Sequence, residues 1–434
     1  MSDTTRRDTS SVSTVASAGG VRQARAEQTR ADIIEAAHRL FVENGYRATS
    51  LREVAAAAGL SHSGLQRHFP TKDGLLVAVV DSFRRHTDNQ LDYALQEEAG
   101  TFDFAAIARL NAEVPGYLPL YAALTGEAST STHPAHAQLR DRYQALVSLA
   151  TDHIEDAIKH DIVDSGRDPR DEAIRLIAAW DGLQLIAQYL PDRVDIEAAL
   201  DRHQDLLALP RAWRDPSDPA PRQDPAPLPP VPDLGGGHSE RIVGYRSGRE
   251  TRERIVAGAT ALFAREGFGD TSLSTIAQVV GVTKATLLHH YTSKEALLEA
   301  VLVERDRTLF SQIPYTPASR AAHELRGMPI GARVNAERAP GLIQVYAVLS
   351  CEAVPAEHPA HDYFTRRYAT SIDHFAALLR AAAADGDLPS HRDPEAEAIW
   401  LAALWEGLQY QWLYDSTSVD VATHLAAHLD DLLP

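Results

Sequence analysis

LFVENGYRATSLREVAAAAGLSHSGLQRHFPTKDGLL, from Leu40 to Leu76, realigns without a gap on LFAREGFGDTSLSTIAQVVGVTKATLLHHYTSKEALL, from Leu262 to Leu298. Further along, YAALTGEA with HPAH and RY (Tyr121 to Tyr143) matches YAVLSCEA with HPAH and RY (Tyr346 to Tyr368), and WDGLQ at Trp180 matches WEGLQ at Trp405. The offset grows from 222 to 225, so three residues enter the second copy between about 300 and 340. Short periods build solenoids. A period above two hundred residues means two duplicated units, each large enough to fold alone.

Within each copy the periodicity is helical. Ile33, Ile34, Ala37, Leu40 and Phe41, and again Ile255, Val256, Ala259, Leu262 and Phe263, share one face of an amphipathic helix, which Gly45 or Gly267 ends. Thr49, with Glu53 following, is the expected N-cap of the next helix, and Thr271 repeats it. Gly59 and Gly281 break that helix. A third short helix then runs from Ser61 to Phe69 and from Thr283 to Tyr291. Two short helices joined by a glycine turn form the pattern of a helix-turn-helix. Its last helix turns Leu65 or Leu287 inward. The outer face offers His62, Ser63, Gln66 and Arg67 in the first copy, and Lys284, Ala285, Leu288 and His289 in the second.

The 434 residues are 44% apolar, 24% charged and 7% aromatic, a composition that buries real cores. A net charge of −18 argues against a polyanionic partner until its distribution is considered. Residues 20–85 hold ten basic side chains against seven acidic ones, and residues 241–307 hold ten against eight. Two mildly basic islands thus sit in an acidic body. The single cysteine, Cys351, the lack of an apolar leader and the lack of a long apolar run predict a cytoplasmic protein with no membrane partner. No phosphate-loop, nucleophile-elbow or zinc-helix signature is present, so the chain reads as a non-enzyme with no cofactor.

Both copies, with their T-S-L caps, A-x-x-x-G turns and S/T-K-acidic pairs after the third helix, resemble the TetR, or tetracycline-repressor-like, family of transcriptional regulators. The resemblance covers about 60 residues per unit. It implies an all-α chain of two tandem units, each a three-helix DNA-binding domain followed by a helical ligand-binding and dimerisation domain. The expected division is a disordered tail over 1–20, DNA-binding domains over 21–85 and 247–307, ligand-binding domains over 86–209 and 308–434, and a spacer over 210–246. The spacer is rich in proline and then glycine, which predicts a semi-extended chain ending in a flexible hinge.

By the same resemblance, Thr49 and Thr271 cap a helix onto phosphate, and Lys72 and Lys294 contact phosphate after the recognition helix. His68 and His290 take the family's aromatic-or-His position. Gln66 and Leu288 depart from its usual Tyr. Arg22, Arg25, Arg246 and Arg249 precede the first helices as arms toward DNA. Candidate ligand-binding residues are Tyr121, Glu127 and Trp180 in the first unit and Tyr346, Glu352 and Trp405 in the second. The H-x-x-H pairs His133/His136 and His358/His361 read as helix starts with Pro134 and Pro359 at the first position, against a metal site that lacks further ligands.

Together these readings predict a ligand-responsive repressor of double-stranded DNA. Its two units pair within one chain as a pseudo-dimer, a further homodimer being open, and its two unlike reading helices select an asymmetric operator. The alternative is a ligand-sensing or protein-interaction module with one degenerate helix-turn-helix.

Overall fold

The computed structural model describes residues 10–46, 49–82, 103–112, 117–232, 246–310 and 320–434, and among them every regular element is helical. They fall into two compact units, residues 1–85 and 86–434.

The first unit holds α1 (Ser10–Asn44), α2 (Leu51–Ala57), α3 (His62–Gln66) and α4 (residues 72–82). α1 begins at Ser10, inside the stretch expected as a tail. Ile33, Ala37 and Phe41, spaced by four, are at most 1% exposed and pack in a core with Val54, Leu65, Phe69, Leu75 and Leu76. Gly45, at φ +79°, takes the left-handed conformation that lets the chain leave α1. The cap of α2 differs from expectation. Ser50, not Thr49, is the N-cap, and it forms a capping box with Glu53: Glu53 N donates to Ser50 Oγ and Ser50 N to Glu53 Oε2. Thr49 is 2% exposed, and its single hydroxyl proton is shared between the Gly45 carbonyl at 2.9 Å and the Leu40 carbonyl at 3.1 Å, where α1 ends.

The second unit opens with α5 (Phe104–Ala112), α6 (Tyr117–Glu127), α7 (His136–Lys159), α8 (Pro169–Tyr189) and α9 (Ile196–Leu207). After the proline-rich segment come α10 (Arg246–Asp270), α11 (Leu273–Val280), α12 (Lys284–His290), α13 (Lys294–Phe310), α14 (Ala321–Arg338), α15 (Pro340–Glu352), α16 (His361–Ala384), α17 (Pro394–Tyr414) and α18 (Val421–Leu432). Gly267, at φ +75°, breaks α10 where Gly45 ends α1. The cap is again one residue later than expected: Ser272 caps α11, while buried Thr271 donates to the Gly267 carbonyl.

α8 and α17 are apolar nearly all round, and they bury that surface against each other. Their crossing is reciprocal. A Cβ on Gly182 would lie 1.9 Å from the Ala403 carbonyl oxygen, and one on Gly407 would lie 1.7 Å from the Ala178 carbonyl oxygen, so only glycine lets the backbones approach this closely. The flanks repeat the exchange: the Tyr189 hydroxyl donates to Ser350 O at 2.5 Å and the Tyr414 hydroxyl to Thr125 O at 2.7 Å. His136 stacks on Tyr414 and His361 packs on Tyr189, each at 5.2 Å between centroids. Each contact has its partner at the repeat offset of 225, the pattern of a two-fold interface.

Two further expectations are revised. The HPAH stretches form turns that precede the helices: α7 and α16 start at His136 and His361, and neither N-cap residue, Ala135 nor Ala360, makes a side-chain cap bond. Successive turn bonds, His133 N to Thr130 O and His136 N to His133 O, hold the proline outside the helix. Residues 210–232 are a docked strap, not a free spacer. Arg222 N donates to Asp385 O, Ala226 N to Asp385 Oδ1 and Ala212 N to Asp431 Oδ1, and Trp213 packs edge-on to His391. Proline removes donors but leaves the intervening N–H groups free to bond elsewhere. The hinge over 233–245 lies outside the described residues.

Candidate nucleic-acid interface and effector cores

Each reading head is built on one buried leucine. Leu65 on α3 and Leu287 on α12 are 0% exposed, which turns the opposite face of each short helix outward. Ser61 and Thr283 cap these helices by accepting from Gly64 N and Thr286 N. On the first head Ser63, Gln66 and Arg67 are exposed and His62 is half-buried; on the second, Lys284, Ala285, Leu288 and His289 are all exposed. The first face is polar. The second adds apolar surface, with Leu288 37% and nearby Val279 60% exposed.

Below the recognition helix the heads share their bracing. Arg30 lies 4.2 Å over the Phe69 ring, with its Nη1 donating to His68 O, and Arg252 lies 4.7 Å over Tyr291. Lys72 Nζ stands 4.5 Å over Tyr46, and Lys294 Nζ stands 4.2 Å over Phe268. Tyr46 also donates to Asp73 Oδ1 at 2.6 Å. Lys294 donates to Gly269 O, and burial holds its ammonium below the usual lysine range. Burial likewise lowers His290. His68 is half-buried, and Arg25 and Arg249 are exposed. The side chains of Arg22 and Arg246 lie outside the described residues.

Glu352 is engaged by backbone. Its two carboxylate oxygens accept from Phe268 N at 2.7 Å and Gly269 N at 2.6 Å, tying the end of α15 to the second head just past the Gly267 break. His358 closes the joint: its Nε2 is 4.0 Å from Glu352, its ring meets Phe268 edge-on at 5.3 Å, and burial pulls it down to about 4. In the first half the matching His133 Nε2 lies 3.9 Å from Glu127.

The helical cores of the two halves bury polar and charged groups. In the second, Tyr346, 1% exposed, carries two guanidinium groups on its ring, Arg305 at 3.8 Å and Arg367 at 5.1 Å. Asp306 bridges both arginines at 2.9 and 2.8 Å and accepts from Tyr363. Burial pushes the Glu406 carboxyl up to about 7 against the pull of Arg305, Arg367 and the Tyr346 hydroxyl. In the first core Arg142 lies 5.1 Å over Tyr121, and Tyr143 and Tyr121 bond Asp181, which burial raises to about 6. Trp180 packs edge-on to Phe104 at 5.9 Å, and Trp405 is half-buried.

Residues 33–79 and 255–301 both match the family described as "Bacterial regulatory proteins, tetR family", and residues 349–434 match "BetI-type transcriptional repressor, C-terminal". The chain is a tandem TetR-family regulator. The HTH-type transcriptional regulator SrpR of Pseudomonas putida is 26% identical over 38% of this chain and 76% of its own length. TtgR of P. putida is 28% identical over 44% of this chain and 96% of its own. The HTH-type transcriptional repressor Rv3405c of Mycobacterium tuberculosis is 42% identical over 17% and 37%. A solved TetR-family regulator from Rhodococcus is 24% identical, covering 43% of this chain and all of its own, at a TM-score of 0.37. No described helix is long and apolar enough to cross a membrane.

Reasoning from sequence missed the buried charges of this TetR tandem. Asp181 and Glu406 each follow a tryptophan in the repeated W-acidic-G-L-Q, and Arg142 and Arg367 open the repeated R-Y. An ionisable residue repeated inside an apolar helix was the available signal.

Proposed function

We propose that this TetR tandem is a ligand-responsive repressor that binds DNA as a single-chain pseudo-dimer on an asymmetric operator. One observation carries the reading: the reciprocal crossing of α8 and α17, Gly182 on Ala403 and Gly407 on Ala178, lies inside one chain. An isologous pairing is what a symmetric dimer makes between two chains. Tethering raises the effective concentration of the second half to about the millimolar range, so pairing no longer depends on protein concentration.

The two reading faces then address different sequences. Gln66 suits adenine and Arg67 guanine, whereas Lys284 suits guanine and Ala285 and Leu288 offer apolar contact to a thymine methyl. Ser50 and Ser272, the exposed caps, take the phosphate role first expected of Thr49 and Thr271. An effector in either core alters the packing between halves, and with it the half-site geometry that the operator accepts.

Selection from a random DNA pool, followed by binding to the winning site and its two symmetrised palindromes, tests the reading. The expected result is that each palindrome binds more weakly, by about 1–3 kcal/mol per wrong base pair. Equal affinity for all three sites would refute the asymmetric operator. No specific binding at physiological salt would favour an interaction module instead.

A further inference from the structure

The end of α10 at the Gly267 break is held from two sides. From its own half, Glu352 accepts from Phe268 N and Gly269 N. From the first half, the Thr130 hydroxyl donates to Ala264 O at 3.2 Å and accepts from Gln344 Nε2 of α15 at 3.0 Å. Thr130 and Ala264 are each 6% exposed, so water does not compete freely for these groups. Carbonyls in the last turn of a helix lose their intrahelical donors, and here a residue 134 positions away supplies one.

The turn that carries Thr130 is stiff. Just before it, a Cβ on Gly126 would lie 2.5 Å from Cys351 Cβ and 2.8 Å from Ala347 O, so α6 and α15 meet at backbone distance. Ser129 Oγ then donates to Gly126 O at 2.6 Å, and His133 N to Thr130 O at 2.9 Å. A close-packed, bonded turn of this kind passes a shift of α6 on to Thr130. Beyond Ala264, α10 packs on α11 and α13, and α11 packs on α12, the helix that carries Lys284 and Leu288.

This link runs in one direction. At the repeat offset of 225, Thr130 matches Pro355 and Gln344 matches Pro119. Proline has no side-chain donor or acceptor and no N–H, so neither member of the relay has a polar counterpart on the other side of the pseudo-two-fold.

We propose that Thr130 is a positioning residue through which the first half sets the placement of the second reading head. Its effect on operator spacing rests on the proposed pseudo-dimer reading; its hold on α10 does not.

The test uses the full chain, with amide hydrogen exchange followed over residues 264–272 and operators selected from a random DNA pool. T130V keeps the shape of the side chain and removes both hydrogen bonds. It is expected to speed exchange over 264–272 by about three- to tenfold and to leave the α17 amides unchanged. Wild type is expected to return one half-site spacing. T130V is expected to bind sites with one base pair added or removed to within about threefold of that spacing, with the base preferences of each half-site unchanged. T130S, which keeps the hydroxyl, is expected to behave as wild type in both measurements. Q344M removes the amide alone at a half-buried position, and a smaller change in the same direction is expected. Unchanged exchange in T130V, or in Q344M if T130V does not fold, would overturn the role. So would a uniform loss of DNA affinity with the spacing preference intact, the result of a merely structural contact. Absence of specific DNA binding by wild type would sink the repressor reading alone, because exchange over 264–272 still decides whether Thr130 holds the head.

Discussion

At the crossing of α8 and α17 the halves exchange identical contacts: Gly182 lies on Ala403 as Gly407 lies on Ala178, and Tyr189 reaches Ser350 as Tyr414 reaches Thr125. In the cores the same repeat positions carry different groups, Asp181 against Glu406, and among the described residues one guanidinium lies over Tyr121 against two over Tyr346. On the reading helices they differ most, Gln66 against Leu288. An isologous interface uses each residue twice, so a change on one side must fit the other. A core or a reading face is used once and carries no such constraint. Asp431 shows how far departure from symmetry goes once backbone approach is not at stake: it pairs with Arg167 of one half and Arg392 of the other, while its repeat counterpart is Leu206.

The largest expected effect breaks the symmetric region. Gly182→Leu and Gly407→Leu must each push the facing carbonyl away, and each is expected to lose more than about 4 kcal/mol or to prevent folding, measured by denaturant unfolding. Similar losses sharpen the two-fold picture. A tolerated Leu at one position would break it.

The cores are expected to differ in pH. Glu406 and Asp181 have folded values of about 7 and about 6, both above the ordinary 4.5 and 3.8. A raised carboxyl adds stability that is complete below its unfolded value and is lost as pH rises through its folded value, here by a few kcal/mol across pH 4 to 8. Histidines held neutral, such as His358 at about 4 and His428 at about 3, act oppositely, losing stability as pH falls below about 6.5. The comparison is therefore wild type against variant. E406Q is expected to remove a stability loss that runs from about pH 4.5 to about pH 7, and D181N one that runs from about pH 3.8 to about pH 6. Superimposable pH profiles for E406Q and wild type would show that Glu406 is not ionising there.

Glu352→Ala unpairs two backbone donors at the second head. Hydrogen exchange at the Phe268 and Gly269 amides is expected to speed up by about 10- to 100-fold, the equivalent of about 1–3 kcal/mol, with little change at the matching amides of Tyr46 and the residue after it. Unchanged exchange would detach the head from α15.

Smaller still are the lysines. K72A and K294A are each expected to lower the salt slope of operator binding by roughly one unit, uniformly across sequences. Base-specific loss from either would contradict a phosphate role. Lys294, half-buried against Phe268, is the stricter case.

Much of the helical order was legible in the sequence. The period of Ile33, Ala37 and Phe41, and the glycines at 45, 59, 267 and 281, are local signals, since one helical face and one left-handed turn depend on a few neighbours. The caps slipped by one residue. Thr49 and Ser50 have interchangeable hydroxyls in sequence, and what separates them is that Thr49 faces the Leu40 and Gly45 carbonyls while Ser50 faces the N–H of Glu53. Proline content marked residues 210–232 as neither helix nor strand, but a strap and a free linker share that composition. The carbonyl and carboxylate of Asp385, far along the chain, decide which it is.

The sequence by itself determined that this chain is two copies of one all-helical reading and binding unit, because duplication and period are properties of a string. Tertiary structure alone decided that the copies meet through Gly182 and Gly407, that Glu352 accepts from two backbone amides of the second reading head, and that Asp181 and Glu406 are buried among tyrosines and arginines. Each of those facts joins residues from distant stretches of the chain. Hydrogen bonding, burial and charge act through space, and no spacing along the sequence encodes the distance between two helices.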